Sequence, residues 1–435
     1  MVHRTSLQNP LRLIYLANTN PLCYAPKTLF SFLRLFFIWG AAGAQSVNAP
    51  LNPDQYHLID RLEIKHGRQV EALHSSFKAY PRRSIAALVD SAWDDALQGT
   101  ARDQFNAQYL ANDNQEWSQH PQTERDRAIL GAFYTRHTDV YSVSQSDFEL
   151  HANPVLYGAL GQSQAGAQTI DTYSNTRGLE LRATVANKIG FYTFLGENQM
   201  RAPAYEQAFT REFRAVPREG FYKGFGDAKD AYDFFSARGY ISFDPVPAYF
   251  NVQFGHDKFF IGNGQRSLLL SDHANSYLFM KWNTRVWKVN YTNLFAEMNG
   301  AAFGNASGSL DQRFPKKYLA MHHLSINMSK NFNLGLFEAI AMNGEDSLGA
   351  GSFEAGYLNP IIFYRAVEHQ NGSQDNALIG LDWKWNFLKR FSFYGQVVLD
   401  ELIVSNLVAQ NGWWGNKYAL QGGLKYIDAF WCAPP

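Results

Sequence analysis

From about Val140 onward, apolar and polar residues take turns along the chain. In Gly178–Lys188, Leu179, Leu181, Ala183 and Val185 fall on one side, and Glu180, Arg182 and Thr184 on the other. That is the period of two that a β-strand imposes on its side chains. The pattern recurs with Phe250, Val252 and Phe254 against Asn251 and Gln253, and with Trp287, Val289 and Tyr291 against Lys288, Asn290 and Thr292. It returns with Ile379, Leu381, Trp383, Trp385 and Phe387 against Asp382, Lys384 and Asn386, and again in Phe391–Glu401 and Tyr418–Phe430. Such runs give an apolar, often aromatic face about ten residues long, the length of a tilted membrane strand rather than of a short sandwich strand. The pattern predicts an all-β, antiparallel transmembrane β-barrel of outer-membrane type. Its Lys and Asp residues should then face a hydrated lumen, and Gly-rich intervals such as Asn299–Lys317 should form loops of one rim.

Between Pro50 and His137 the period is helical. Ile85, Leu88, Val89, Ala92 and Ala96 make one stripe, with Ser84 placed as an N-cap. Asp54–Ile64 and Glu124–His137 are weaker helical candidates. Further upstream, Lys27–Ser46 has a basic start, an apolar middle and the ending Ala42-Gly43-Ala44, the signature of a secretory signal cleaved after Ala44. The expected organisation is an upstream extension over 1–26, a signal peptide over 27–44, a small periplasmic α-helical domain over 45–139 and the barrel over 140–435.

Composition narrows the function classes. The 435 residues carry no net formal charge, and 18% are charged, which leaves no basic face for nucleic acid. Aromatics make up 15% of the chain while mean hydropathy stays slightly negative, as expected for strands greasy on one side only. The two cysteines, Cys23 and Cys432, exclude a disulfide framework or a Cys-based zinc site.

Candidate chemistry is sparse. Phe254–Asp272 has the glycines of a phosphate loop, but Gly264 is followed by Gln265-Arg266-Ser267, without the Lys-Ser or Lys-Thr that such a loop uses to hold phosphate and Mg²⁺. Its glycines should turn the chain where a strand leaves the wall, with Arg266 reaching a carboxylate or a ligand. Asp400 and Glu401 are adjacent, as are His322 and His323, so on a strand each pair points to opposite sides. His256 and Asp257 follow an alternating strand and fit a rim position. No Gly-x-Ser-x-Gly occurs, and the expectation is no enzyme, no catalytic residue, no metal and no cofactor.

Four passages carry a family likeness. Ile261–Tyr277 (IGNGQRSLLLSDHANSY) resembles the Gly-x-Gly, Ser-Leu-x-Leu-Ser segment of the capsule-assembly Wzi family, and more closely its branch that includes the gliding-motility protein RemB. Leu58–Val89, Tyr357–Asn386 and Phe393–Leu402 are similar to its helical region, its Asn-Pro and Gly-Ser-x-Asp-Asn segment, and its Tyr-Gly-Gln, Asp-Glu strand. The resemblance spans about residues 50 to 430. It implies a non-enzymatic outer-membrane protein, exported by a cleaved signal peptide, that binds or organises surface polysaccharide. Alternatives are a gliding-motility or adhesion component and a passive porin-like channel. Implied partners are polysaccharide, outer-membrane lipid and envelope or motility proteins, with no nucleic acid. Motif positions carried over as candidate ligand-binding residues are Gly262, Gly264, Arg266, Ser267, Ser271, Asp272, Asn359, Pro360, Asn376, Gln396, Asp400 and Glu401. Family members continue through further strands, so Trp431–Pro435 reads either as a truncated end or as a tail on a genuine last strand, Phe430 being in phase with Leu424 and Tyr426.

Overall fold

The structure, a computed structural model, describes residues 46–51, 53–122, 131–166, 168–226, 230–300, 315–344, 354–361, 364, 375–400, 405, 408–409, 412 and 417–429. The stretches read above as an upstream extension and a signal, together with Glu401, Phe430 and the Trp431–Pro435 tail, lie outside the described residues.

Three helices come first: α1 (Pro53–His66), α2 (Arg82–Leu97) and α3 (Ala101–Asp113). The apolar stripe of α2 is buried as expected, against Ile59 and Leu62 of α1 and Ala107 and Leu110 of α3. Ser84 is not its N-cap. The helix begins at Arg82 behind Pro81 (φ −59°), because proline already holds the backbone where the chain enters the first turn, and Ser84 is buried inside that turn. Helix α3 was not anticipated from its apolar spacing, yet its start carries a capping box. Thr100 accepts from the Asp103 amide, and the Asp103 carboxylate accepts from the Thr100 amide. Of Glu124–His137, the described part contains only a 3₁₀ turn, Gly131–Phe133.

Strand structure begins with a two-residue piece, β1 (Phe77–Lys78), and continues from β2 (Tyr141–Ser144) through β3 (Phe148–Ala165), β4 (Gln168–Val185), β5 (Ile189–Arg201), β6 (Lys223–Phe225), β7 (Ala231–Val246), β8 (Phe250–Asp257), β9 (Phe260–Ile261) and β10 (Tyr277–Val286). The remainder are β11 (Val289–Asn299), β12 (Lys316–Asn327), β13 (Phe332–Asn343), β14 (Asn376–Phe387), β15 (Phe391–Asp400) and β16 (Lys417–Tyr426). Apart from β1 and β9, they form one antiparallel sheet in chain order, with β6 on β7 off the main path. Among the described residues, the outermost strands β2 and β16 share no ladder. Strands β10 to β16 have 10–12 residues each, enough to cross a bilayer at a tilt. No described helix is long and apolar enough to do so.

The sheet is inverted in polarity, and this fixes its class. Trp385 is 45% exposed and Leu424 59%, whereas Asp382 and Lys384 are fully buried. Arg182, Ser242, Gln253, Asn290, Thr292, Ser325, Asn333 and Ser392 are buried in the same way. Greasy residues face out and polar ones face in, as in an outer-membrane β-barrel with a small helical region before it. Outward aromatics at one end form a band in which Phe387 stacks on Phe391 and Phe391 on Tyr426, with centroids 5.3 and 4.4 Å apart.

Glycines opposite aromatic rings tighten the wall. Trp383 pairs across the ladder with Gly395, Tyr240 with Gly255 and Tyr394 with Gly423. A Cβ on any of these glycines would stand within 2.1–2.4 Å of the opposing residue. At Gly395 and Gly423 the opposing side chain's ring lies over the space a side chain would need, a device that covers strand glycines in curved sheets, while at Gly255 the Tyr240 Cα and Cβ fill it.

The two rims differ. Short turns at Ala186–Lys188, Pro247–Tyr249, Trp287–Lys288, Met328–Asn331 and Leu388–Arg390 gather at one end, while the connections after β5, β8, β11, β13 and β15 leave the other. The helices sit at the short-turn rim, where Gln69 donates to the Lys330 carbonyl (2.6 Å) and Lys389 meets Asp95 (3.1 Å).

The hydrated lumen expected for the inward charges is not what they meet. The segment between α1 and α2 enters the barrel, where β1 pairs with β9, Phe77 opposite Ile261 and Lys78 opposite Phe260. Around this inner ribbon Phe77, Phe259, Ile261, Leu269 and Leu270 pack on Tyr240, Phe279, Leu294 and Phe337 of the wall. Lys384 Nζ reaches Glu63 of α1 at 2.7 Å, Ser75 at 3.3 Å and Asp60 at 3.5 Å. An inward polar face needs hydrogen-bond partners, and for Lys384, Asp382 and Gln396 protein supplies them.

Candidate functional site

The Gly-rich motif divides between two places. Its first half is a latch inside the lumen. Gly262 has φ +135°, a conformation suited to glycine, and a Cβ there would stand 2.5 Å from Gln396 Nε2. Gln396, on β15, donates to the Ile261 carbonyl (2.9 Å) and accepts from the Leu268 amide (2.8 Å). Ser267 donates to the Ile261 carbonyl and accepts from the Leu269 and Leu270 amides at 3.1 and 3.2 Å. Gly264 packs closely on Tyr394. Gly262, Gly264, Ser267 and Gln396 are therefore brought together, but as the fastening of the inner ribbon to the wall. Arg266 is exposed, and among the described residues no carboxylate meets it.

The second half of the motif leads to the long-connection rim. Ser271 accepts from the His273 amide (3.2 Å), and Asp272 beside it is half-buried. The next residues, His273, Ala274 and Asn275, form one wall of a cleft of about 780 Å³. The opposite walls come from α4 (Ala204–Phe213), the connection over Ala215–Phe221, and Asp233–Phe235 at the start of β7. Phe209 packs on Phe213 (4.4 Å) and edge-on to His273 (5.6 Å). Phe221 and Phe235 contribute exposed rings, and Arg218, Glu219, Lys223 and Glu197 stand around them. Ser236 donates to Glu219 at 2.5 Å, while Lys258 donates to the Arg218 carbonyl at 3.0 Å. The site thus has an apolar floor and a polar surround carrying both signs of charge.

The other motif positions lie elsewhere. Asn359 and Pro360 belong to a segment against the outer wall, where the Tyr291 hydroxyl donates to the Pro360 carbonyl (2.7 Å) and the Tyr364 hydroxyl contacts the Asn359 carbonyl (2.6 Å) and His322. His322 is buried there, while His323 turns inward to Asp382 (2.7 Å), the opposite facing expected of strand neighbours. Asn376 opens β14 opposite Ala341. Asp400, at the end of β15, is 3.8 Å from Lys417. His256 is exposed and contacts the Ala237 carbonyl (3.1 Å), and Asp257 accepts from the Lys258 amide (2.8 Å).

Two ion networks hold the helical region on the barrel. In the first, Asp60 meets Lys425 (2.5 Å) beside Lys384, and Arg61 joins Asp103 (2.8 Å) and Asp428 (2.7 Å). Burial alone would raise the Asp60 pKa, but Lys425, Lys384 and Lys78 overcome it and hold the carboxyl well below its usual range. Lys78, buried over the Tyr56 and Phe260 rings, is lowered to about 8 by desolvation, with Asp60 opposing. In the second network, Glu116 meets Arg182 (2.6 Å) and His151 meets Asp139 (2.8 Å). Glu116 falls to about 2 because Arg182, His151 and Arg82 outweigh its burial. Neither network nor the cleft was anticipated. The cleft joins residues from five separate stretches, and its one sequence signal is the density of Phe between 209 and 235.

No family model and no curated protein matches the chain. Among solved structures it is similar to one described as Wzi, an outer membrane protein involved in group 1 capsule assembly in Escherichia coli and a carbohydrate-binding β-barrel. That likeness has 8% identity and a TM-score of 0.27, and covers 82% of this chain and 94% of that one. At that level no side chain of the site is assigned by it.

Proposed function

We propose that this chain is a non-enzymatic outer-membrane barrel that binds surface polysaccharide in the cleft at its long-connection rim. The observation that carries this is the cleft itself: Phe209, Phe213, Phe221 and Phe235 among Arg218, Lys223, Glu219 and Asn275, above a barrel whose lumen holds the packed inner ribbon. Aromatic faces take the apolar faces of sugar rings, and flanking polar groups satisfy hydroxyls. In barrels of this type short turns lie on the periplasmic side and long connections outside, so the cleft would face the polysaccharide and the helices the periplasm. The packed ribbon supports a binding role over a passive channel.

The test is titration of capsular polysaccharide from the producing cell into the detergent-purified protein. Phe221→Ala with Phe235→Ala should weaken binding about tenfold, the worth of one or two aromatic contacts, without changing the heat-modifiable gel mobility of the barrel. Unchanged affinity in the double variant rejects the cleft. In cells, deletion should release capsule into the medium; slowed surface spreading with capsule retained would favour the motility alternative.

A further inference from the structure

A second cavity lies inside the barrel at the short-turn rim, the opposite end from the cleft. It has about 110 Å³, room for several waters at about 10–15 Å³ each. Its basic lining residues are His74, Arg83, Lys281 and Arg285, and Asp244 is the one carboxylate among its lining residues. Asp244 accepts a hydrogen bond from Asn251 (2.7 Å). Arg285 is held by the carbonyls of Ala72 (2.8 Å) and Ala248 (3.3 Å), which carry no full charge.

Lys281 is the unusual member. It is 95% buried, and among the described residues no carboxylate and no hydrogen-bond acceptor reaches its ammonium. Its contacts are the rings of Phe259 (4.8 Å) and Phe77 (5.5 Å). Cation–ring contacts return only part of what taking an ammonium out of water costs. His74 also has a bare nitrogen: Nδ1 contacts Ser325 (2.9 Å), while the buried Nε2 has no described partner. An excess of basic groups around a cleft with low-dielectric walls concentrates anions, and Lys and Arg donors are the common ligands of oxyanions.

We infer that this cavity is an oxyanion site, taking a phosphate or a sugar carboxylate with Lys281 as its main partner and Arg83 as a second lining cation. This is independent of the rim cleft, whose variants leave it untouched. The test uses the full chain in detergent, titrated calorimetrically with inorganic phosphate and, separately, with glucuronate, using glucose and chloride as controls. Phosphate should bind saturably at one site, Lys281→Met should abolish the signal, and Arg83→Ala should weaken it about fivefold or more. If glucuronate binds more tightly than phosphate and is equally lost in Lys281→Met, the group belongs to an acidic sugar; the reverse order assigns it to free phosphate. Absence of saturable binding by either anion, or unchanged binding in Lys281→Met, overturns the site. Should Lys281→Met lack the gel mobility of a folded barrel, Arg83→Ala decides by the same criterion, and unchanged affinity there also overturns it.

Discussion

Replacing Lys384 with Met tests whether protein, rather than water, balances the inward charges. Lys384 is fully buried and bonded to Glu63, Ser75 and Asp60. Asp60 keeps Lys425 at 2.5 Å, so the group that loses its bonded cation is Glu63, which is 2% exposed and keeps a hydrogen bond from Ser75 at 3.4 Å, with Lys78 only as a more distant charge. Removing one partner of a buried pair costs about 3–5 kcal/mol. K384M should therefore lose about 3–5 kcal/mol at pH 7. The double variant K384M/E63Q should recover most of that loss, because the amide carries no charge to strand. The assay is urea-dependent trypsin cleavage of the helical region on micelle-bound protein, with wild type measured alongside. A deficit under about 1 kcal/mol, or a double variant no more stable than K384M, would refute the buried pair and restore a wet lumen.

Acid should loosen the helices from the barrel. The folded pKa values of Asp60, Asp103 and Glu116 are lowered, the latter two to about 2, so their stabilisation is fully present above the unfolded values near ~4 and is lost as pH falls towards ~2; protease sensitivity that stays flat from pH 5 to pH 2 would contradict this. Thr100→Ala breaks the capping box of α3 and should cost about 1 kcal/mol, read as a lower urea midpoint for cleavage between α2 and α3. Gly395→Val places side-chain atoms where Trp383 lies, with a Cβ already 2.1 Å from the ring; refolding into micelles should fall sharply, while Gly422→Ala, with open space around its Cβ, should refold like wild type.

What the chain made legible was its exterior. A strand's period of two records which side meets lipid, so Leu179, Phe254, Trp385 and Leu424 were assignable without knowing any neighbour. The same alternation leaves the interior open, since Lys384 and Asp382 would be written identically for a water-filled channel and for a filled one. What separates the two cases is partnership across long separations, such as Lys384 with Glu63 or Gln396 with Ile261, and local periodicity carries no trace of it. The Gly-x-Gly motif was misplaced for the same reason. Its glycines serve the lumen latch, through Gly262 beside Gln396 and Gly264 beside Tyr394, and only the residues following Asp272 reach the cleft. One interior signal was available. A strand glycine directly opposite an aromatic is a packing pair, and Tyr240–Gly255, Trp383–Gly395 and Tyr394–Gly423 would have fixed three ladder registers had the hairpins been aligned on them. Register decides which polar residues share the lumen at each level, so it is the step from which the two ion networks become derivable.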